Sequence, residues 1–347
     1  MKISKSKKNI LGFLTLICFS FVACQNNLFM NEYEWYPMLI SAQGYPVRFD
    51  KGGFTYPGGG TSVPGRSEFE GLVPWGDQGG SYIAGPELKP APESFSISWF
   101  SFLENKYYEG SFKLPTEKID SLFATGFKSR LNKQETYDFI NIGVAPGGVI
   151  CVWLTSSRTT EIGRFQAKEA PIPPIDELLT DSFLKTTDEY IDWKLKSIKE
   201  RGHTYMHPDS IPFGLWDSYR KRYSYRQRIE FLNDEELLDW QTDFYNGEAF
   251  FIGSFDPIIT EYSDQAVPRY THPNWIYNDS LYGAGVTFNE PEIMKAFETV
   301  FSNEKTERAE LIIKVDRFDS DFRILLKSEL DSVEIVKART NVWHREK

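Results

Sequence analysis

A chain of 347 residues, 25% charged and 41% hydrophobic, can bury one large core or two medium ones; it is neither a disordered polymer nor a multi-span membrane protein. Its 49 acidic residues against 39 basic ones give a net charge of -10, which argues against nucleic acid as a partner, since such binding needs a basic footprint. Aromatic residues reach 16%, a share that favours β-rich structure.

The N-terminus comes first. Lys2, Lys5, Lys7 and Lys8 precede an apolar run over residues 10–23 that closes in Phe21-Val22-Ala23-Cys24. The run is shorter than the roughly 20 apolar residues a spanning helix takes, and it reads as the core of an export signal. A small residue directly before Cys at the end of such a run resembles the lipobox of bacterial lipoproteins, with Phe21 where Leu is more usual. The resemblance implies cleavage before Cys24, a thioether diacylglycerol on its sulfur and acylation of the new amino group. Each buried CH₂ contributes about 0.8 kcal/mol, so several acyl chains make a lasting membrane anchor. The expected location is the bacterial envelope, the outer membrane ahead of the inner, facing the periplasm or the exterior. Removing the four leader lysines from 39 leaves 35 basic against 49 acidic residues, a net charge of -14. Of the three cysteines, Cys18 falls in the leader and Cys24 carries lipid, so Cys151 has no partner for an intramolecular disulfide. Its neighbours Val149, Ile150, Val152 and Trp153 are β-formers, which marks it as a core thiol rather than a nucleophile.

A polar tether over residues 24–31 leads into a segment rich in Gly, Pro and aromatics, read as short strands and turns. Gly58-Gly59-Gly60 lacks the Lys and Ser/Thr of a nucleotide loop and is turn chemistry. Phe95-Ser96-Ile97-Ser98-Trp99-Phe100 alternates and predicts a strand; residues 106–114 predict another. Pro115 and Glu117 open a helix whose stripe is Ile119, Leu122, Phe123 and Phe127. Residues 138–144 and 149–154 flank Ala145-Pro146-Gly147-Gly148, predicting a hairpin closed by a type II turn. A strand over residues 160–167 ends the first unit. Pro171, Pro173 and Pro174 then introduce one or two helices over residues 175–201. In the second unit, a strand at residues 284–288 precedes a helix capped by Asn289 with the stripe Ile293, Ala296, Phe297 and Phe301. Strands follow at residues 309–315, 322–326 and 333–336. The expected fold is therefore α+β: two related β-rich halves, residues 32–170 and 203–347, each with antiparallel strands and a packed helix, joined by a Pro-rich helical linker over residues 171–202.

Candidate chemistry is sparse. His203 and His207 have the i, i+4 spacing of helical metal ligands, but Gly202 and Pro208 bracket them and predict a loop. Asp234-Glu235-Glu236 precedes Leu237, Leu238 and Trp240 and reads as the acidic start of a helix. No Gly-x-Ser-x-Gly elbow and no cofactor motif is found, so neither a cofactor nor a bound metal is expected. The most distinctive stretch is Tyr219-Arg220-Lys221-Arg222-Tyr223-Ser224-Tyr225-Arg226-Gln227-Arg228, read as a helix to about Tyr223 and a strand after it. Arg220, Lys221, Arg222, Arg226 and Arg228 form a candidate anion-binding group for phosphate, sulfate or uronic acid. The competing reading is neutralisation by the protein's own carboxylates.

Ser98-Trp99-Phe100-Ser101, Glu104-Asn105-Lys106-Tyr107-Tyr108, Leu114-Pro115, Gly143-Val144-Ala145-Pro146-Gly147-Gly148 and Val152-Trp153-Leu154 together resemble the DUF2931 family. Phe213-Gly214-Leu215-Trp216, Tyr219-Arg220-Lys221-Arg222-Tyr223 and Asn246-Gly247-Glu248 extend the resemblance over nearly all of the mature chain. The family consists of bacterial proteins, many of them predicted envelope lipoproteins, and carries no assigned activity or catalytic residues. The expected role is a non-enzymatic binding module with a basic envelope protein or toxin as partner. Two alternatives remain: glycan or lipid-headgroup binding through exposed Trp35, Trp75, Trp99 or Trp275, and a hydrolase whose site assembles only in three dimensions.

Overall fold

A computed structural model describes residues 31–81, 85–179, 183–316 and 321–346. The expected leader and the expected lipidation site Cys24 lie outside the described residues. Strands make up 47% of them and helices 17%, so the protein is mostly β-sheet, largely antiparallel, with few helices.

The predicted strands form where side chains alternate. Ser94–Ser101 places Phe95, Ile97 and Trp99 in the core, and it pairs with Val47–Tyr56 on one side and Lys106–Lys113 on the other. Phe139–Ala145 and Val149–Thr155 make the expected hairpin. Gly147 at its tip has φ 77° and ψ 13°, close to the third position of a type II turn, which only glycine adopts without strain. The helix Thr116–Thr125 buries Ile119 and Phe123, and Glu290–Val300 starts at Asn289, whose side chain accepts from the Glu292 N–H.

One ten-stranded sheet crosses the whole chain. From Gly80–Ser81 it runs through Tyr36–Ser41, Phe139–Ala145, Val149–Thr155 and Arg158–Gln166. It continues through Ala249–Gly253, Glu236–Phe244, Pro268–Tyr277, Ser280–Thr287 and Arg339–Glu346. The two parts meet where Arg158 pairs with Phe250 and Thr159 with Ala249. A six-stranded sheet built on Val47–Tyr56, Ser94–Ser101 and Lys106–Lys113 covers the first part. Between them lies a core that includes Trp35, Phe49, Trp99, Ile142 and Val152. A five-stranded sheet built on Tyr223–Glu230, Ala309–Val315, Phe322–Lys327 and Ser332–Ile335 faces the second part. Its core includes Tyr225, Trp240, Phe250, Phe297 and Leu311.

Strand pairing follows one order in residues 36–170 and in residues 223–346. Tyr36–Ser41 and Tyr223–Glu230 each pair in parallel with the strand that follows the helix, Phe139–Ala145 and Ala309–Val315. Each of those then leads an antiparallel run of two more strands. The second, third and fourth long strands pair with one another, and a last strand, Lys168–Ala170 or Arg339–Glu346, joins the fourth.

Two local expectations are corrected. Residues after Asp234-Glu235-Glu236 form the strand Glu236–Phe244, not a helix. Trp240, Thr242 and Phe244 point inward at alternate positions, and ladders on both flanks satisfy the backbone. The helix before the Tyr/Arg stretch is a single turn, Leu215–Ser218, and the strand starts at Tyr223 because Tyr223, Tyr225 and Gln227 alternate into the core. Thr187–Glu200 is a helix with a capping box of Thr186 and Glu189. It docks Tyr190 among Phe100 and Phe102.

Candidate functional site

The five basic candidates do not converge on an open pocket. Arg220 donates to Glu161 at 2.7 Å, Arg222 to Glu248 and Arg226 to Glu310. Arg228 sits 3.4 Å from both Glu230 and Glu310. Lys221 is exposed and lies 4.9 Å over the Tyr223 ring. The guanidinium charges are thus met within the protein, as in the second reading of that stretch.

His203 and His207 lie on an exposed loop, where His207 Nδ1 accepts from the Asp209 N–H. Among the described residues no group of three or more His, Cys, Asp or Glu is placed to hold a metal ion. Cys151 is fully buried, and burial pushes its thiol far above the ordinary value. Trp35, Trp99 and Trp275 are 0% exposed and Trp75 7%, so none of the four tryptophans offers a ring to solvent for glycan stacking.

A different site emerges at the seam of the ten-stranded sheet. On one face of the first part, Trp75 packs edge-on against Trp153 with centroids 4.9 Å apart, and Trp216 lies beside them. Trp153 Nε1–H donates to the Asn246 carbonyl at 3.2 Å, tying the strand Val149–Thr155 to the turn after Phe244. The loop carrying Trp75 closes on that turn by glycine against glycine: a Cβ on Gly76 would stand 2.1 Å from the Gly247 Cα. Both glycines have positive φ, 80° and 88°.

This aromatic cover ends at Asp77. Beyond it the same sheet face is open: Gln241, Asp243, Phe251, Tyr270, His272 and Asn274 are half-buried, while Trp240, Thr242, Thr271 and Trp275 on the other face are buried. A cleft of about 250 Å³ lies at the edge of the cover. Its polar lining includes Asp77, Thr155, Thr159, Asp243, Glu248 and Arg269, and Phe251 supplies an apolar wall. Arg269 lies 3.4 Å from Asp243. Burial raises the Asp243 carboxyl above its ordinary value, the Asp77 charge adds to this, and Arg269 opposes it. Behind the cleft, burial likewise raises Glu161, against the Arg220 charge.

Farther along the open face, Trp343 Nε1–H donates to His272 Nε2 at 3.4 Å. That nitrogen is therefore unprotonated, and the Nδ1–H donates to the Tyr270 oxygen at 2.8 Å. Burial depresses the His272 value, which keeps the ring neutral.

At Glu310, burial opposes the charge, but the Arg226 hydrogen bond and the Arg226 and Arg228 charges outweigh it and hold the carboxyl below its ordinary 4.5. Its contribution to stability is complete above pH 4.5 and is lost as the pH falls through the depressed value. Glu310→Gln should therefore flatten the acid limb of the stability–pH curve measured by denaturant titration. An unchanged limb would show that the Arg226 pairing carries none of it.

Nothing in the local sequence marks Asp77, Thr155, Asp243 or Arg269, because each belongs to a different segment and only the strand register brings them together. The one legible signal was Asn246-Gly247-Glu248, which forms the turn under the cleft. Against known proteins, no curated protein and no solved structure gives a significant match. The family described as "Protein of unknown function (DUF2931)" matches residues 23–214. The match is shorter than the resemblance suggested, and the motifs from Leu215 through Glu248 fall beyond it. It nonetheless spans more than half of the 347 residues and contains the Trp99, Glu104, Gly147 and Trp153 motifs. The chain belongs to the DUF2931 family.

Proposed function

We propose that the protein is a lipid-anchored binding module of the bacterial envelope, held by Cys24 and displaying the open face of its ten-stranded sheet to a basic partner protein. The observation that carries the binding reading is the one-sided cover. A sheet face whose first part is sealed by Trp75, Trp153 and Trp216 continues as a half-exposed row of Gln241, Asp243, Phe251, Tyr270, His272 and Asn274. Polar and aromatic side chains on a rigid strand array suit recognition. The charge of -14 on the processed chain favours a basic partner and a salt-dependent association rate. The anchor rests on the Phe21-Val22-Ala23-Cys24 signature.

The fold underlying this reading is two related α+β halves. Its support is the shared order of pairings, with a parallel pair bridged through a helix, an antiparallel run, and a second sheet closed by the last strand.

One experiment tests anchor and binding together. The acylated full chain is captured from its native envelope beside Cys24→Ser and beside Asp239→Asn with Asp243→Asn, Asp239 being the carboxylate that accepts from the Asn274 amide. Cys24→Ser should move the protein from the membrane to the soluble fraction; full retention on the membrane sinks the anchor. A stoichiometric basic partner should be captured by the wild type, weaken with salt and be lost with the double variant. Equal capture by that variant would remove the open face from the account.

A further inference from the structure

We infer that the cleft at the sheet seam is a binding site for a polyhydroxylated ligand the size of one sugar ring, held by Asp77, Thr155, Asp243 and Arg269. The inference does not depend on a protein partner.

Two unspent donors lie in the walls of this space. Thr155, 2% exposed, lines the cleft with its hydroxyl Oγ1 lacking a hydrogen-bond partner among the described residues. Arg269 lines it too; its terminal nitrogen is engaged by Asp243, but its buried Nε–H has no partner among the described residues. Buried donors are almost always paired in native proteins, so two in one cleft call for an acceptor there.

The lining also supplies acceptors. Asp77 receives the Gln78 N–H on one oxygen, and Asp243 receives Gln241 at 3.2 Å and Arg269 at 3.4 Å. A carboxylate has about four lone-pair sites, so both retain capacity. Glu248 is already committed to the Glu161 N–H, Arg222 and Asn246.

The chemistry of the occupant follows by elimination. An ammonium group has donors but no acceptor; it would leave the Arg269 Nε–H unmet beside a like charge. An anion would meet both donors but face Asp77 and Asp243. A hydroxyl both donates and accepts, so a ring bearing several hydroxyls satisfies donors and carboxylates at once. Ala249 and Phe251 provide apolar surface for the C–H side of such a ring. The volume, about 250 Å³, lies just below the usual range of small-molecule pockets and suits a ligand of one ring.

The test titrates the purified full chain with D-glucose, D-galactose and N-acetyl-D-glucosamine, with lysine methyl ester and inorganic phosphate as cationic and anionic probes, by calorimetry. At least one sugar should bind saturably at millimolar concentration. Thr155→Val and Asp243→Asn should each raise its Kd about tenfold, with Thr155→Ser retaining affinity as the control for folding. The inference is overturned if no sugar binds, if binding survives unchanged in Thr155→Val and Asp243→Asn, or if the amine or phosphate binds while the sugars do not.

Discussion

Gly76→Ala is expected to destabilise the protein by about 4 kcal/mol, among the larger effects a single methyl group can have. The added Cβ would stand 2.1 Å from the Gly247 Cα and 2.3 Å from its carbonyl oxygen, so it meets backbone rather than a side chain that could rotate away. Gly76 also has φ 80°, where any β-carbon is strained. Relief requires separating the Trp75 loop from the turn at Asn246-Gly247. That would open the Trp75–Trp153 contact and break the Trp153-to-Asn246 hydrogen bond. Gly58 supplies the control: its φ is 83°, yet a Cβ there would meet nothing within 4 Å. Gly58→Ala should cost only about 1 kcal/mol, the backbone part of the penalty. Chemical denaturation of both variants separates strain from collision. Equal losses would mean that the two glycines do not touch.

The second large effect is expected at Lys194. This lysine is 3% exposed, on the Thr187–Glu200 helix, and donates to Glu68 at 2.8 Å and Glu70 at 2.9 Å. Tyr190 also donates to Glu68, Arg48 lies 3.7 Å from it, and Arg201 pairs with Glu70. Lys194→Met removes the central cation and leaves two partly buried carboxylates facing each other, a loss of about 3–5 kcal/mol. Adding Glu68→Gln and Glu70→Gln should recover part of that loss by removing the two facing carboxylates; the recovery is incomplete because Arg48 and Arg201 then lose their own partners. If the triple variant were no more stable than Lys194→Met, packing of the lysine stem rather than charge would be responsible. This network fastens the Thr187–Glu200 helix to the segment that carries Glu68 and Glu70.

Much of the fold is legible in the chain because its strands carry their own period. Phe95, Ile97 and Trp99 alternate with serines, and the Pro-Gly-Gly tip of the next hairpin has the one residue that tolerates φ 77°. Asn289 and the stripe Ile293, Ala296, Phe297 announce a helix for the same local reason. The misreading of Glu236 shows the limit. Leu237, Leu238 and Trp240 fit a helical stripe as well as a strand, and the ladders from Ala249–Gly253 and Pro268–Tyr277 decide it. Those partners are remote in sequence, so periodicity cannot see them.

The chemistry divides along the same line. Residue order alone determined the basic start and apolar run that end at Cys24, the acidic balance, the family motifs around Trp99 and Trp153, and the alternation of most strands, because each is a property of neighbours along the chain. The tertiary structure decided that Arg220, Arg222, Arg226 and Arg228 are paired with the protein's own carboxylates. It decided too that four tryptophans face the core, and that Asp77, Thr155, Asp243 and Arg269 share one cleft. Burial and pairing depend on which distant strands lie side by side, and that register is fixed by the packing of both cores, not by any segment on its own.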